Sequence, residues 1–245
     1  MDSESRQQGE IGPEEISDRR IRSYVLRAGR MSAAQKRSYE TLFPIYGLKG
    51  DEAGALDPVE LFGNENPLII EIGFGMGSAT ACLAEQNPQI NYLGIEVHRP
   101  GIGRLFWEIE KRGIKNIRVM EGDAAEVLRQ KIKDNTISGF HIFFPDPWPK
   151  KRHHKRRLLT RPFTDLLSSK LLPGAYIYMA SDWADYGDWA LRELSATPGL
   201  ANRYNSFADH QPWRPKTEFE RKGLLKDHEI RELFFVKISG ASGER

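Results

Sequence analysis

Leu68-Ile69-Ile70-Glu71-Ile72-Gly73-Phe74-Gly75-Met76-Gly77-Ser78 decides the fold class. Five residues rich in β-branched side chains run into a turn with glycine at every second position. A helical pattern, Ser78–Glu85, follows. Glycine at such a turn lets the backbone bend sharply and lets a ligand approach it closely. The dinucleotide fingerprint G-x-G-x-x-G needs its third glycine at position 78, where this chain has Ser. The glycines instead fall at 73, 75 and 77, two residues after an acid, Glu71.

Outward from this turn, short apolar runs alternate with helical spacing. Strands are expected at Leu68–Ile72, Tyr92–Val97, Ile117–Met120, Phe140–Phe144 and Ala175–Ala180. Helices are expected at Ser78–Glu85, Ile102–Arg112, Ala124–Ile132, Arg161–Leu172 and Trp183–Leu194. Strands separated by helices of this length build βαβ units and a parallel sheet, and near-continuous apolar strands fit burial on both faces. Ile230–Ile238 reads as a final strand with no helix after it, free to pair antiparallel. Residues 1–18 hold little to bury and read as a disordered tail, and 239–245 as a flexible terminus. Residues 19–66 read as an extension, irregular or helical to Leu48 and a loop around a short apolar segment beyond it, that packs on a core domain of residues 67–238.

The 245 residues suffice for one large domain without staples. A single cysteine, Cys82, excludes an internal disulfide framework and any zinc site with two cysteines. No run approaches the ~18 apolar residues of a membrane span, and the polar N-terminus has no signal-peptide core, so a cytoplasmic protein is expected. The net charge of +2 conceals an asymmetry. Lys150-Lys151-Arg152-His153-His154-Lys155-Arg156-Arg157 carries six formal positive charges, and the rest of the chain has 30 basic against 34 acidic side chains. One concentrated basic segment on an otherwise acidic chain points to a polyanion, although most charge runs are solvated surface. His153 and His154 lack Cys or carboxylate partners at ligand spacing, so no metal site is expected.

The pattern Glu71-x-Gly73-x-Gly75-x-Gly77 resembles motif I of class I S-adenosylmethionine-dependent methyltransferases. That resemblance implies a doubly wound, mostly parallel, Rossmann-like sheet of seven strands with one antiparallel strand near the C-terminus. Glu96, at the end of the second strand, is placed to accept from ribose hydroxyls, or is an exposed strand-end carboxylate. Asp123, after the third strand, reaches an adenine amino group or caps the following helix.

The fourth strand exits into Phe144-Pro145-Asp146-Pro147-Trp148-Pro149, followed by the basic run. Three alternating prolines remove three backbone donors and predict a stiff, extended loop at the carboxyl end of a central strand, where open α/β sheets bind ligands. Phe144–Arg157 is similar to the signature of the bacterial tRNA (guanine-N7-)-methyltransferases. Arg22–Val25 through Gly29-Arg30 resembles that family's N-terminal segment, and Thr217–Gly223 its C-terminal signature. The resemblance spans roughly residues 20–238 and implies methyl transfer from S-adenosylmethionine to N7 of the variable-loop guanine, position 46, of tRNA. It implies cofactor contacts at Glu71, Gly73, Gly75, Gly77, Glu96, Asp123 and Asp146, and substrate contacts at Lys150, Asp182, Thr217 and Glu220. RNA contacts are expected at Lys151, Arg152, His153, His154, Lys155, Arg156 and Arg157.

N7 carries an exposed lone pair, so its methylation needs alignment rather than a strong base. A carboxylate suits the cationic product, and Asp146 is the catalytic candidate. Asp182 is the second carboxylate there, or a helix cap. Glu220 suits guanine's adjacent N1–H and N2 donors, while Thr217-x-x-Glu220 also reads as a capping box. Trp148 stacks on a base or packs the loop. Three alternatives stand beside this reading. One is an exocyclic-amino methyltransferase, on the likeness of Asp146-Pro147-Trp148 to an acid-Pro-Pro-aromatic motif. The others are a nicotinamide-dependent oxidoreductase and an RNA-binding module without activity. A monomer or a homodimer fits equally.

Overall fold

The computed structural model describes residues 22–25, 29–51, 54–216, 220 and 229–239. The expectations for 1–18 and Thr217 lie outside these residues, as does all of the C-terminal signature except Glu220. Eight strands form one sheet in the order β1-β4-β3-β2-β5-β6-β8-β7. They are β1 (Gly47–Lys49), β2 (Leu68–Ile72), β3 (Asn91–Glu96), β4 (Ile117–Glu121), β5 (Ile137–Phe143), β6 (Leu171–Ser181), β7 (Leu200–Asn202) and β8 (Arg231–Lys237). All neighbours pair parallel except β8, which runs antiparallel to β6 and to β7.

Every residue of β2 is buried, because both faces of the strand are covered. Leu68, Ile70 and Ile72 face a core shared with α5 (Ala124–Gln130), α6 (Arg161–Lys170) and α7 (Ala184–Ser195). Ile69 faces the opposite core, filled by α3 (Ser78–Gln86) and α4 (Arg99–Arg112). This two-sided covering is what the continuous apolar strand predicts. The chain leaves β2 toward β3 on one side and returns to β5 on the other, so the strand order reverses at β2 and opens a crevice at the carboxyl ends.

The expected seven strands are joined by an eighth, β1, which pairs with β4 at the sheet edge where a loop was expected to begin. Ahead of it, α1 (Ala33–Tyr46) starts at a capping box, with Ser32 Oγ accepting from Gln35 N at 3.2 Å and Gln35 Oε1 from Ser32 N at 2.8 Å. Helix α1 lies on α4: Tyr39 and Phe43 meet Phe106, and Gln35 Nε2 donates to the Pro100 carbonyl at 3.1 Å. A short helix, α2 (Pro58–Phe62), is capped by Asp57. Among the described residues no helix is long and apolar enough to cross a membrane.

Candidate active site

A cavity of about 320 Å³ opens at the reversal point, lined among others by Glu71, Gly73, Gly75, Glu96, Phe143 and Asp146. The three glycines divide into two roles. All have left-handed backbones, with φ of 72°, 59° and 71° at Gly73, Gly75 and Gly77. A Cβ at Gly73 or Gly75 would meet nothing within 4 Å, so both present bare backbone to open space. A Cβ at Gly77 would lie 2.7 Å from Leu105 Cβ, so this glycine serves the packing of the turn against α4. Gly101 does the same from the other side, since a Cβ there would lie 1.9 Å from the Gly75 carbonyl oxygen.

Glu96 is tied into the turn it faces. Its Oε2 accepts from Gly75 N at 2.9 Å, and its Oε1 from Val97 N at 2.7 Å and His98 N at 3.0 Å. Of roughly four lone-pair sites on a carboxylate, three are thereby engaged. Glu71 is only 2% exposed, with Thr80 beside its carboxyl. Burial, with a smaller contribution from Glu96, pushes its carboxyl up to about 8. A buried carboxyl beside the bare backbone of Gly73 and Gly75 offers hydrogen-bonding groups suited to a polar ligand such as S-adenosylmethionine. Asp123 caps α5, its Oδ1 accepting from Ala125 N at 2.9 Å and Glu126 N at 3.1 Å. It also hydrogen-bonds the Tyr24 hydroxyl, which burial and then Asp123 hold above its ordinary pKa. Asp123 lines a second cavity next to the first, with Tyr24, Val97 and Gly122 on both.

Phe144 and Trp148 both have left-handed backbones, φ 51° and 45°, unusual for bulky side chains and concentrated here in one loop. Asp146 sits between them, exposed at the cavity mouth. The two left-handed residues interrupt the extended course expected of the proline loop, and Lys151–Arg156 beyond it winds into a 3-10 helix. The three-residue period sorts the basic run. His153 and Arg156 both turn to Trp148, with ring centroids 5.9 Å apart for His153 and the Arg156 guanidinium 4.1 Å from the ring centre. His154 and Arg157 turn to Trp189, at 5.8 and 5.1 Å. Lys150, Lys151, Arg152 and Lys155 remain exposed.

Arg157 therefore departs from the RNA-facing role expected of it. It is 2% exposed, its Nε donates to the Pro147 carbonyl at 3.0 Å, and it pairs with Asp185. It holds the loop shut from inside. The Asp182 alternative of a helix cap is not what α7 uses: its N-cap is Trp183, with no side-chain cap, and Ser181 Oγ accepts from Trp183 N.

Glu220 is 4% exposed and gripped by Arg214, with Nη1 to Oε2 at 2.8 Å and Nη2 to Oε1 at 2.9 Å. The same guanidinium binds Glu232 through Nε at 3.0 Å and meets His210 Nδ1 at 3.1 Å. His210, Glu220 and Glu232 bring possible ligand atoms within 4.8 Å of one another, but Arg214 already supplies the positive charge at their centre.

Sequence reasoning did not single out Arg214, Ser23 or His141. Ser23 and Tyr24 line the cavity from the N-terminal segment, which carried only a family likeness. His141 lies behind Phe143 on β5, stacked on Trp213 with centroids 4.9 Å apart and bonded to the Tyr176 hydroxyl at 2.9 Å. Burial drops its pKa to about 3, so it is a neutral core residue.

The model of the family "Methyltransf_4: Putative methyltransferase" matches residues 65–233. Two solved structures share the fold at low identity. The 16S rRNA methyltransferase KamB has a TM-score of 0.54 and 13% identity over 78% of this chain and 99% of that one. The antibiotic-resistance methyltransferase Kmr has a TM-score of 0.52 and 16% identity over 78% and 98%. Among curated proteins, the tRNA (guanine-N(7)-)-methyltransferase of Nitrosospira multiformis is 47% identical over 91% of this chain and 97% of its own length. Its counterparts from Alkalilimnicola ehrlichii and Treponema pallidum are 48% and 46% identical, each over 89% of this chain and 93% and 96% of theirs. Identity of this depth, over about nine-tenths of the chain and nearly the whole length of each relative, leaves one assignment: the chain belongs to the tRNA (guanine-N(7)-)-methyltransferase family.

Proposed function

We propose that the protein methylates N7 of a guanine in tRNA, the variable-loop guanine at position 46, in the cytoplasm. The observation that carries this reading is the placement of Asp146: at the mouth of the cavity formed by the glycine turn, one loop away from four exposed cations. Glu71, the bare backbone of Gly73 and Gly75, and Glu96 would hold S-adenosylmethionine, which supplies the transferred methyl group when bound.

The chain's own tasks are positioning and electrostatics. Guanine N7 needs no proton removed, so no residue has to act as a strong base. Asp146 stabilises the positive charge that develops on the purine. Lys150, Asp182, Thr217 and Glu220 contact the substrate, with Arg214 holding the Glu220 carboxylate in place. Lys151, Arg152 and Lys155 neutralise phosphates and place the tRNA without reading its sequence. Residues 67–238 carry the chemistry, and 19–66 dock on them.

The test is transfer of label from S-adenosylmethionine to unmodified tRNA, followed by nucleoside digestion. Label in N7-methylguanosine is expected. Label in an N-methylated exocyclic amine would overturn the N7 assignment.

A further inference from the structure

Arg22, Ser23 and Tyr24 present three consecutive carbonyl oxygens to the basic loop, and two side chains take all three. The Trp148 indole N–H donates to Ser23 O at 3.0 Å. Arg156 donates through Nε to Arg22 O at 3.1 Å and through Nη2 to Tyr24 O at 3.0 Å. The guanidinium lies over the Trp148 ring, so the two holding groups also fix each other. The same segment is also cavity wall, with Ser23 and Tyr24 among the lining residues and the Tyr24 hydroxyl bonded to Asp123.

We propose that Arg156 and Trp148 are positioning residues of the cofactor site: they hold Arg22–Tyr24 in place as a wall of the cavity, so that Arg156 governs cofactor affinity even when no RNA is present. This rests on the reading that the cavity takes S-adenosylmethionine. Arg156 spends two of its five donors on carbonyls of its own chain and turns its planar face to an indole, a geometry that a point charge for phosphate would not need. Lys151, Arg152 and Lys155 in the same run are exposed. One basic segment thus holds outward cations for the polyanion, Arg157 buried against its own loop, and Arg156, which braces the neighbouring pocket. The left-handed backbone of Trp148 fits this division, because strain in a bulky residue persists where the surroundings over-determine it.

The experiment is calorimetric titration of S-adenosylhomocysteine into the full chain without tRNA, with thermal unfolding of each variant measured alongside. Arg156→Ala is expected to bind about ten-fold more weakly, as for loss of charge-assisted hydrogen bonds, with little change in unfolding temperature. Arg156→Lys should recover part of that loss, and Lys155→Ala should bind like the wild type. Trp148→Phe keeps the ring and removes only the N–H, so a smaller loss is expected there, and it serves if Arg156→Ala does not fold. Wild-type affinity in both Arg156→Ala and Trp148→Phe would overturn the proposal, as would an equal loss in Lys155→Ala, which would make it a matter of charge alone. Absence of binding in the wild type would instead bring down the cofactor reading, and this inference with it.

Discussion

The carboxylate of Glu96 accepts a hydrogen bond from the backbone N–H of Gly75 at 2.9 Å, tying the end of β3 to the middle of the glycine turn. With Val97 and His98 bonded to its other oxygen, Glu96 is both a wall of the cavity and the brace of the turn. Glu96→Ala removes the acceptor of three N–H groups and is expected to cost about 1–3 kcal/mol of stability as well as cofactor affinity. Denaturant unfolding and S-adenosylhomocysteine titration read the two effects separately.

Glu71 gives a prediction with a sign. Its folded pKa is about 8 against an ordinary 4.5, so between those values the folded chain keeps a proton that the unfolded chain has released. Its contribution to stability is complete below pH 4.5 and is lost as pH rises through about 8. Glu71→Gln abolishes that dependence. Urea unfolding at about pH 5 and about pH 8 should show the wild type losing stability relative to the variant. Parallel behaviour of the two proteins would mean that the carboxyl is already ionised in the folded state.

Asp146 is exposed and carries no core packing, so Asp146→Ala is expected to leave unfolding unchanged. Formation of N7-methylguanosine should fall by about 10²-fold or more, the scale of a lost electrostatic group. Turnover close to the wild type would remove Asp146 from the chemistry.

Two neighbours in the basic run should behave oppositely. Arg157→Ala deprives the Pro147 carbonyl of its donor and uncovers Tyr186 and Trp189, which the guanidinium faces at 5.2 and 5.1 Å. The expected result is a stability loss of about 1–3 kcal/mol with an unchanged salt slope for tRNA binding. Arg152→Ala should leave stability alone and flatten the slope by about one phosphate contact. Binding measured at several salt concentrations, with a thermal melt of each variant, checks both.

That contrast shows where sequence reading stops. A charge run says how many cations there are and not which way they turn. The turning is set by a three-residue helical period acting between Trp148 and Trp189, 41 positions apart in the chain. The strands β2 to β6 were legible because burial on both faces demands unbroken apolar runs, and the glycine turn because its φ values suit few other residues. β1 and β7, three residues each, are too short to show any alternation. Arg214 was invisible for a different reason: a lone arginine signals nothing until two acids from distant positions close on it.

Those two short strands have a consequence for how the molecule behaves in company. They are the outermost members of the sheet, β1 beyond β4 and β7 beyond β8. A long exposed margin would offer a row of unpaired N–H and C=O groups to the strand of another copy, the usual route to fibrous aggregation. Here each margin is only three residues long, and β1 ends in a lysine. Short outer strands of this kind leave little backbone at either edge for another copy to extend, so strand addition is disfavoured there.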